Sequence, residues 1–178
     1  MSAVAEALDL ILGQQEPFPA VVVDRRWNLL RANAGAVRLV EFLVGPLEAG
    51  AAVNLADALV GPDVLKPFVV NWPDVVRYFI ASVEADAWAD GTRETAALLE
   101  RLAAYPDVDD ALQGAPAAGV EPVLPMHFRK DGTELRLFTT LATLGTPQNV
   151  TVQELRIECF FPMDAASAEV LRGWAAAS

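Results

Sequence analysis

Apolar positions recur along this chain with two different periods, and the period changes near residue 122. Residues 2–12 place Val4, Leu8, Ile11 and Leu12 on one stripe, which predicts a short amphipathic helix. Gly13 ends it, and Glu16-Pro17-Phe18-Pro19 makes a stiff link. Ala20-Val21-Val22-Val23 reads as a strand, Asp24-Arg25-Arg26 as a tight polar turn, and residues 27–32 as the partner strand of a β-hairpin. Asn33 is placed to cap a helix over 34–43, with Val37, Val40 and Leu43 among its apolar residues. Asn54 is placed to cap a short helix over 55–60. Asn71-Trp72-Pro73-Asp74 is a stronger start signal, with a capping side chain, proline in the first turn and an acid near the positive end of the helix dipole. The helix it opens runs to about 89, with a wide stripe of Trp72, Val75, Val76, Phe79, Ile80 and Val83. Asp90-Gly91 stops it. Thr92 restarts a helix that buries Leu98, Leu99 and Leu102 and ends before Pro106. Residues 107–121 show no clear period and read as a linker.

Beyond that point the period is two. Strands are predicted over 122–130, 133–144 and 150–160, with a final helix from about 164. Asp131-Gly132 signals a two-residue hairpin, because glycine supplies the positive φ of a type I′ turn. That turn sets Lys130 opposite Thr133, Arg129 opposite Glu134, Phe128 opposite Leu135 and Met126 opposite Leu137, so one face is apolar and the other carries an opposite-charge pair. On the third strand Leu155, Ile157, Cys159 and Phe161 share the apolar face, and Glu154, Arg156 and Glu158 the polar one. A hairpin, then helices, then a three-stranded meander predicts an α+β domain. If the hairpin joins the meander, the result is a PAS-like five-stranded antiparallel sheet with helices packed on one face and the other face wet. A ligand then fits between sheet and helices. An NTF2-like cone or another small α+β enzyme answers to the same order.

Composition narrows the classes. The chain has 178 residues, within the range of one domain, and 53% are hydrophobic, which excludes a disordered chain. Thirteen basic against 24 acidic residues give a net charge of -11, so no overall field draws the chain to a polyanion or to an anionic membrane. No stretch approaches the roughly 18 uninterrupted apolar residues of a spanning helix, and no membrane partner is expected. Glu6 and Asp9 stand where a secretory signal has basic residues. The lone Cys159 leaves no internal disulfide and fits a reducing, cytoplasmic setting.

Two stretches carry a family resemblance. Pro17-Phe18-Pro19-Ala20-Val21-Val22-Val23-Asp24-Arg25-Arg26-Trp27-Asn28-Leu29-Leu30-Arg31-Ala32-Asn33 resembles the opening of the MmyB-like ligand-binding domain of bacterial Xre-type helix-turn-helix regulators. The segments Asp131-Gly132-Thr133-Glu134-Leu135-Arg136-Leu137-Phe138 and Gly145-Thr146-Pro147-Gln148-Asn149-Val150 through Glu158 are similar to its closing meander. The resemblance covers roughly residues 17–171 and divides the chain into an N-terminal helix and linker, 1–16, and a PAS-like ligand-binding domain, 17–178. It implies a sensor of a small hydrophobic molecule, with fatty acids the best-known ligand class, that governs DNA binding. DNA contact is expected only through a helix-turn-helix domain absent from this chain. The stretch 104–113 departs from a Ser-x-x-Phe-x-x-x-Trp-like pattern that often precedes the meander in that family.

The predicted ligand site is the helix face of Val76, Phe79, Ile80 and Val83 set against Leu137, Thr139, Leu155 and Ile157, with Arg77 or Thr139 for a carboxylate head. The plainer reading of the same stripe is ordinary core, and that of Arg77 a solvated helix residue. A dozen-carbon chain binds such a face through about 0.8 kcal/mol per buried methylene. Trp27 reads as a packing anchor, and His127, opposite Arg136, as a surface residue. One histidine and one cysteine supply no zinc set, and the alternation places them on opposite faces, so neither a metal, a cofactor nor a catalytic pair is expected. An enzyme would have to use acids such as Glu121 or Glu158. A ligand-free module that dimerises through residues 2–12 and the outer helices is the third reading, and a homodimer is also compatible with the sensor.

Overall fold

The computed structural model describes residues 3–46, 50–114, 123, 125–143 and 155–177. Helix α1 (Ala3–Gln15) leads into strand β1 (Ala20–Val23), strand β2 (Leu29–Ala32) and helix α2 (Ala34–Val44). Helix α3 (Leu55–Val60) and a short 3-10 turn precede the long helix α4 (Trp72–Asp90), followed by α5 (Arg93–Ala103) and α6 (Val108–Gln113). Strands β3 (Pro125–Lys130), β4 (Thr133–Thr143) and β5 (Arg156–Pro162) end in helix α7 (Ala165–Ala176). The expected linker thus contains a helix, α6, whose Val108 and Ala111 are buried. Two inward side chains one turn apart were too short a pattern to register as a period. The expected strand residues 122, 124, 144 and 150–154 lie outside the described residues.

The five strands form one antiparallel sheet in the order β2-β1-β5-β4-β3. The hairpin therefore joins the meander, through β1 on β5, as the α+β expectation required. The Asp131-Gly132 turn holds both residues at positive φ, 48° and 79°, and the β3–β4 register is the one that turn dictates.

Both faces of the sheet receive helices. On the front, α2, α3 and α4 share a core cluster with Val21, Val23, Met126, Phe128, Leu135 and Leu137. On the back, Leu8 and Leu12 of α1 pack with Ala20, Val22 and Ile157. The helix at the N-terminus so covers part of a face expected to be wet. The unbroken apolar run of β1, buried at all four positions, is what a strand covered on both sides looks like.

Asn33 joins the two sides. Its Oδ1 accepts from the Ala36 and Ala20 amides, both at 2.9 Å, and its Nδ2 donates to the Leu12 carbonyl at 3.2 Å and the Phe18 carbonyl at 2.8 Å. One side chain caps α2 and also fixes the end of α1, the proline link and the start of β1. Close by, Gly35 lets the backbones meet: a Cβ there would sit 2.7 Å from the Pro17 carbonyl oxygen. At the far end of the sheet, Lys130 donates to the carbonyls of Phe42 and Leu43 at 2.8 and 3.0 Å, tying the C-terminal turn of α2 to β3. These two ties hold α2 over the front of the sheet.

Candidate functional site

Between that helical layer and the sheet lies a chamber of about 200 Å3. Ala36, Leu39, Val40 and Leu43 line it from α2, at the spacing of one helical stripe. Val75, Tyr78, Phe79 and Ser82 line it from α4 at the same spacing. Leu55, Leu59 and Leu65 contribute from α3 and the turn after it, and Met126, Phe128, Thr139, Leu141, Glu158 and Phe160 form the sheet wall. Tyr78 and Leu141 are solvent-exposed at 63% and 46%, which locates the mouth between α4 and the outer half of β4. A dry cavity of roughly 150 Å3 admits benzene, so this one has room for a small apolar guest.

Trp27 stands at the start of the wall. It adopts φ 65°, held in that conformation by a turn in which Asp24 accepts from the Arg26 and Asn28 amides. Its ring meets Phe79 edge-on at 4.7 Å. It is the packing anchor expected, and it lines the chamber as well. Its indole Nε1 is buried with no hydrogen-bond partner among the described residues.

Among the described residues Glu158 is the only carboxyl that lines the chamber, and none of them that lines the wall is Lys, Arg or His. Part of its surface is accessible, yet the surrounding groups exclude bulk water strongly enough to push its pKa up to about 7, against a weaker opposing hydrogen bond from Thr139. The Arg on the same face of β5, Arg156, is engaged elsewhere: it pairs with Asp86 of α4 at 2.6 Å and lies over the Trp27 ring.

The residues expected to line the site separate into groups. Phe79 and Thr139 do line the chamber. Val76, Ile80, Val83 and Leu137 are fully buried nearby but belong to the packed core, in one cluster with Leu98 and Leu102 of α5. The α4 stripe is wide enough to serve two neighbours, one edge toward the sheet and the other toward α5 and α6. Leu155 and Ile157 face away from the chamber, against α1. The expected alternation holds on β5, but in the opposite direction: β5 turns Arg156, Glu158 and Phe160 to the front. Pairing decides this, since Glu158 lies beside Val21 and Leu141, and Ile157 beside Val22. Arg77 is occupied by Asp74 at 2.9 Å and by the Ala111 carbonyl at 2.8 Å. Asn71 makes no cap bond; it straps β3 by donating to the Pro125 carbonyl at 2.7 Å and accepting from the His127 amide at 3.0 Å.

The same reversal corrects the placement of Cys159 and His127. Both point to the back of the sheet, His127 beside Arg136 and Cys159 beside Thr140. Four residues along β4 still separate their partners, about 13 Å at strand rise. His127 instead meets Glu134 at 3.2 Å. Glu121, the other acid considered for catalysis, lies outside the described residues. The chamber-lining residues of α2, α3 and β3 were not identified in the sequence, although the 36-39-40-43 spacing was available as a signal.

A family model described as MmyB-like transcription regulator ligand binding domain matches residues 4–173. No protein of curated function matches the chain. Among solved structures, the PAS domain from Bordetella pertussis BvgS is similar, with 13% identity, 97% of this chain and 96% of that chain covered, and a TM-score of 0.38. Among the described residues no helix is long and apolar enough to cross a membrane.

Proposed function

Because the chain belongs to the family of MmyB-like transcription regulator ligand-binding domains, we propose that the chamber between α4 and the sheet is its sensing site and takes a small hydrophobic molecule with an acyl-type tail. Fatty acids are the first class to test. The observation that carries this is the chamber itself: an apolar cavity of about 200 Å3, open at one end, in a region that could have been filled by larger side chains. Its volume is below the roughly 300–1,000 Å3 of typical small-molecule sites. A medium-length tail therefore fits better than the whole of a dozen-carbon chain, whose end would protrude past Tyr78 and Leu141.

Eight buried methylenes contribute about 6 kcal/mol, and lost translational and rotational freedom costs about 4 kcal/mol or more. The tail supplies weak binding, and a polar head adds the rest. In a full regulator the occupied domain would alter DNA binding only as far as the guest prefers one domain conformation over another.

Native mass spectrometry of the purified chain with C8 compounds (octanoate, octanol and octanamide) tests the reading. A one-to-one adduct is expected in the wild type. In Ser82→Trp the indole would occupy the mouth, and the adduct is expected to vanish while thermal stability changes little, because Ser82 is only half-buried. A wild-type chain that takes up none of these compounds refutes the proposal, as does undiminished uptake by a folded Ser82→Trp.

A further inference from the structure

The polar content of the wall points to the chemistry of the ligand's head, an inference that rests on the chamber being the sensing site. We propose that the chamber prefers a neutral apolar molecule with a hydroxyl or amide head, which donates a hydrogen bond to Glu158, over the carboxylate of the same tail.

Two observations converge. First, Glu158 is set by the β1–β5–β4 register on the chamber side, amid Val21, Leu141 and Phe160. An ionised carboxylate offers acceptors only, so it seeks a donor. Thr139 supplies one, and a carboxylate of two oxygens can accept more than one such bond. Second, no cation among the described residues lines the wall, and Arg156 is held by Asp86, so an incoming carboxylate meets no counter-ion among them and faces a like charge in a poorly hydrated space. A hydroxyl or primary amide carries a donor for Glu158, whereas an ionised carboxylate and a hydrocarbon carry none.

Isothermal titration of the full chain at pH 8 with octanol, octanamide and octanoate tests the preference. There both Glu158 and octanoate are mostly ionised. Octanol or octanamide is expected to bind at least about tenfold more tightly than octanoate. In Glu158→Gln, a near-isosteric change, the gap is expected to close to within about threefold, since the repulsion is removed. Equal or tighter binding of octanoate by the wild type overturns the proposal without any mutant, as does a gap that Glu158→Gln leaves intact. If octanoate binds well, the sensing site stands and the head-group preference falls. If no probe binds at all, the sensing site falls and takes the preference with it.

Discussion

The two faces of one sheet are finished differently. Behind it, α1 lays Leu8 and Leu12 on Ala20, Val22 and Ile157 in a seam of small and branched side chains. In front, α2 and α4 stand over the same strands and leave a chamber, with Glu158 and Thr139 in its wall. Strand β5 serves both, sending Ile157 and Cys159 to the seam and Glu158 and Phe160 to the chamber. Adjacent residues on one strand thus have different tasks, one adding stability and the next sacrificing some of it for a polar group in an apolar space. A seam needs only complementary volume. A chamber needs walls held apart, which here falls to the ties of Asn33 and Lys130 at opposite ends of α2.

The largest effect is expected where the two sides meet. Asn33→Ala leaves two amides and two carbonyls without their partner, and a loss on the order of 4 kcal/mol is expected. Urea unfolding measures it; a loss under about 1 kcal/mol would show that the seam and the front layer do not depend on this residue.

Next comes the seam alone. Ile157→Ala removes volume buried in the cluster behind the sheet, on the side away from the chamber, so about 3 kcal/mol of stability should go. Affinity for an apolar probe, measured on the fraction still folded, should stay within about twofold. A large fall in affinity would mean that the two faces are coupled.

The smallest effect is also the one most specific to the front. Burial raises the folded pKa of Glu158 from its ordinary 4.5 to about 7, so the folded state holds a proton that the unfolded state has already lost over that interval. Stability from this group is therefore complete below about pH 4.5, falls as pH rises, and is gone above about 7, a difference of at most roughly 3 kcal/mol. Glu158→Gln should remove that slope, making the variant more stable than the wild type at pH 8 and nearly equal at pH 4.5. Parallel stability curves across that range would place Glu158 in water.

Much of the fold could be read from residue order. The Asp131-Gly132 turn set the β3–β4 register, Asn33, Asn54 and Thr92 marked helix starts where a side-chain oxygen accepts from a first-turn backbone N–H, and the α4 stripe from Trp72 to Val83 is buried in full. All of these are signals carried by neighbours within a few positions. The site was less legible. Phe79 and Thr139 lie in the chamber, but Leu155 and Ile157 lie behind the sheet and Glu158 in front of it. An apolar residue was expected to face the larger helical layer, and on β5 that rule failed because a second, smaller layer, α1, claimed the apolar side.

By itself, the sequence determined most of the segments that become helices and strands, α6 excepted, and how the β3–β4 hairpin pairs. Periodicity, caps and turn residues act over a few ångströms, and they are written in adjacent letters. Only the tertiary structure decided which face of β5 meets the chamber, which edge of α4 lines it, and that a carboxyl stands inside. Strand alternation separates residues into two sets but does not say which set points where. That choice is made by pairing with β1 and β4, over a hundred positions away in the case of β1, and by the competition of two helical layers for the same apolar surface.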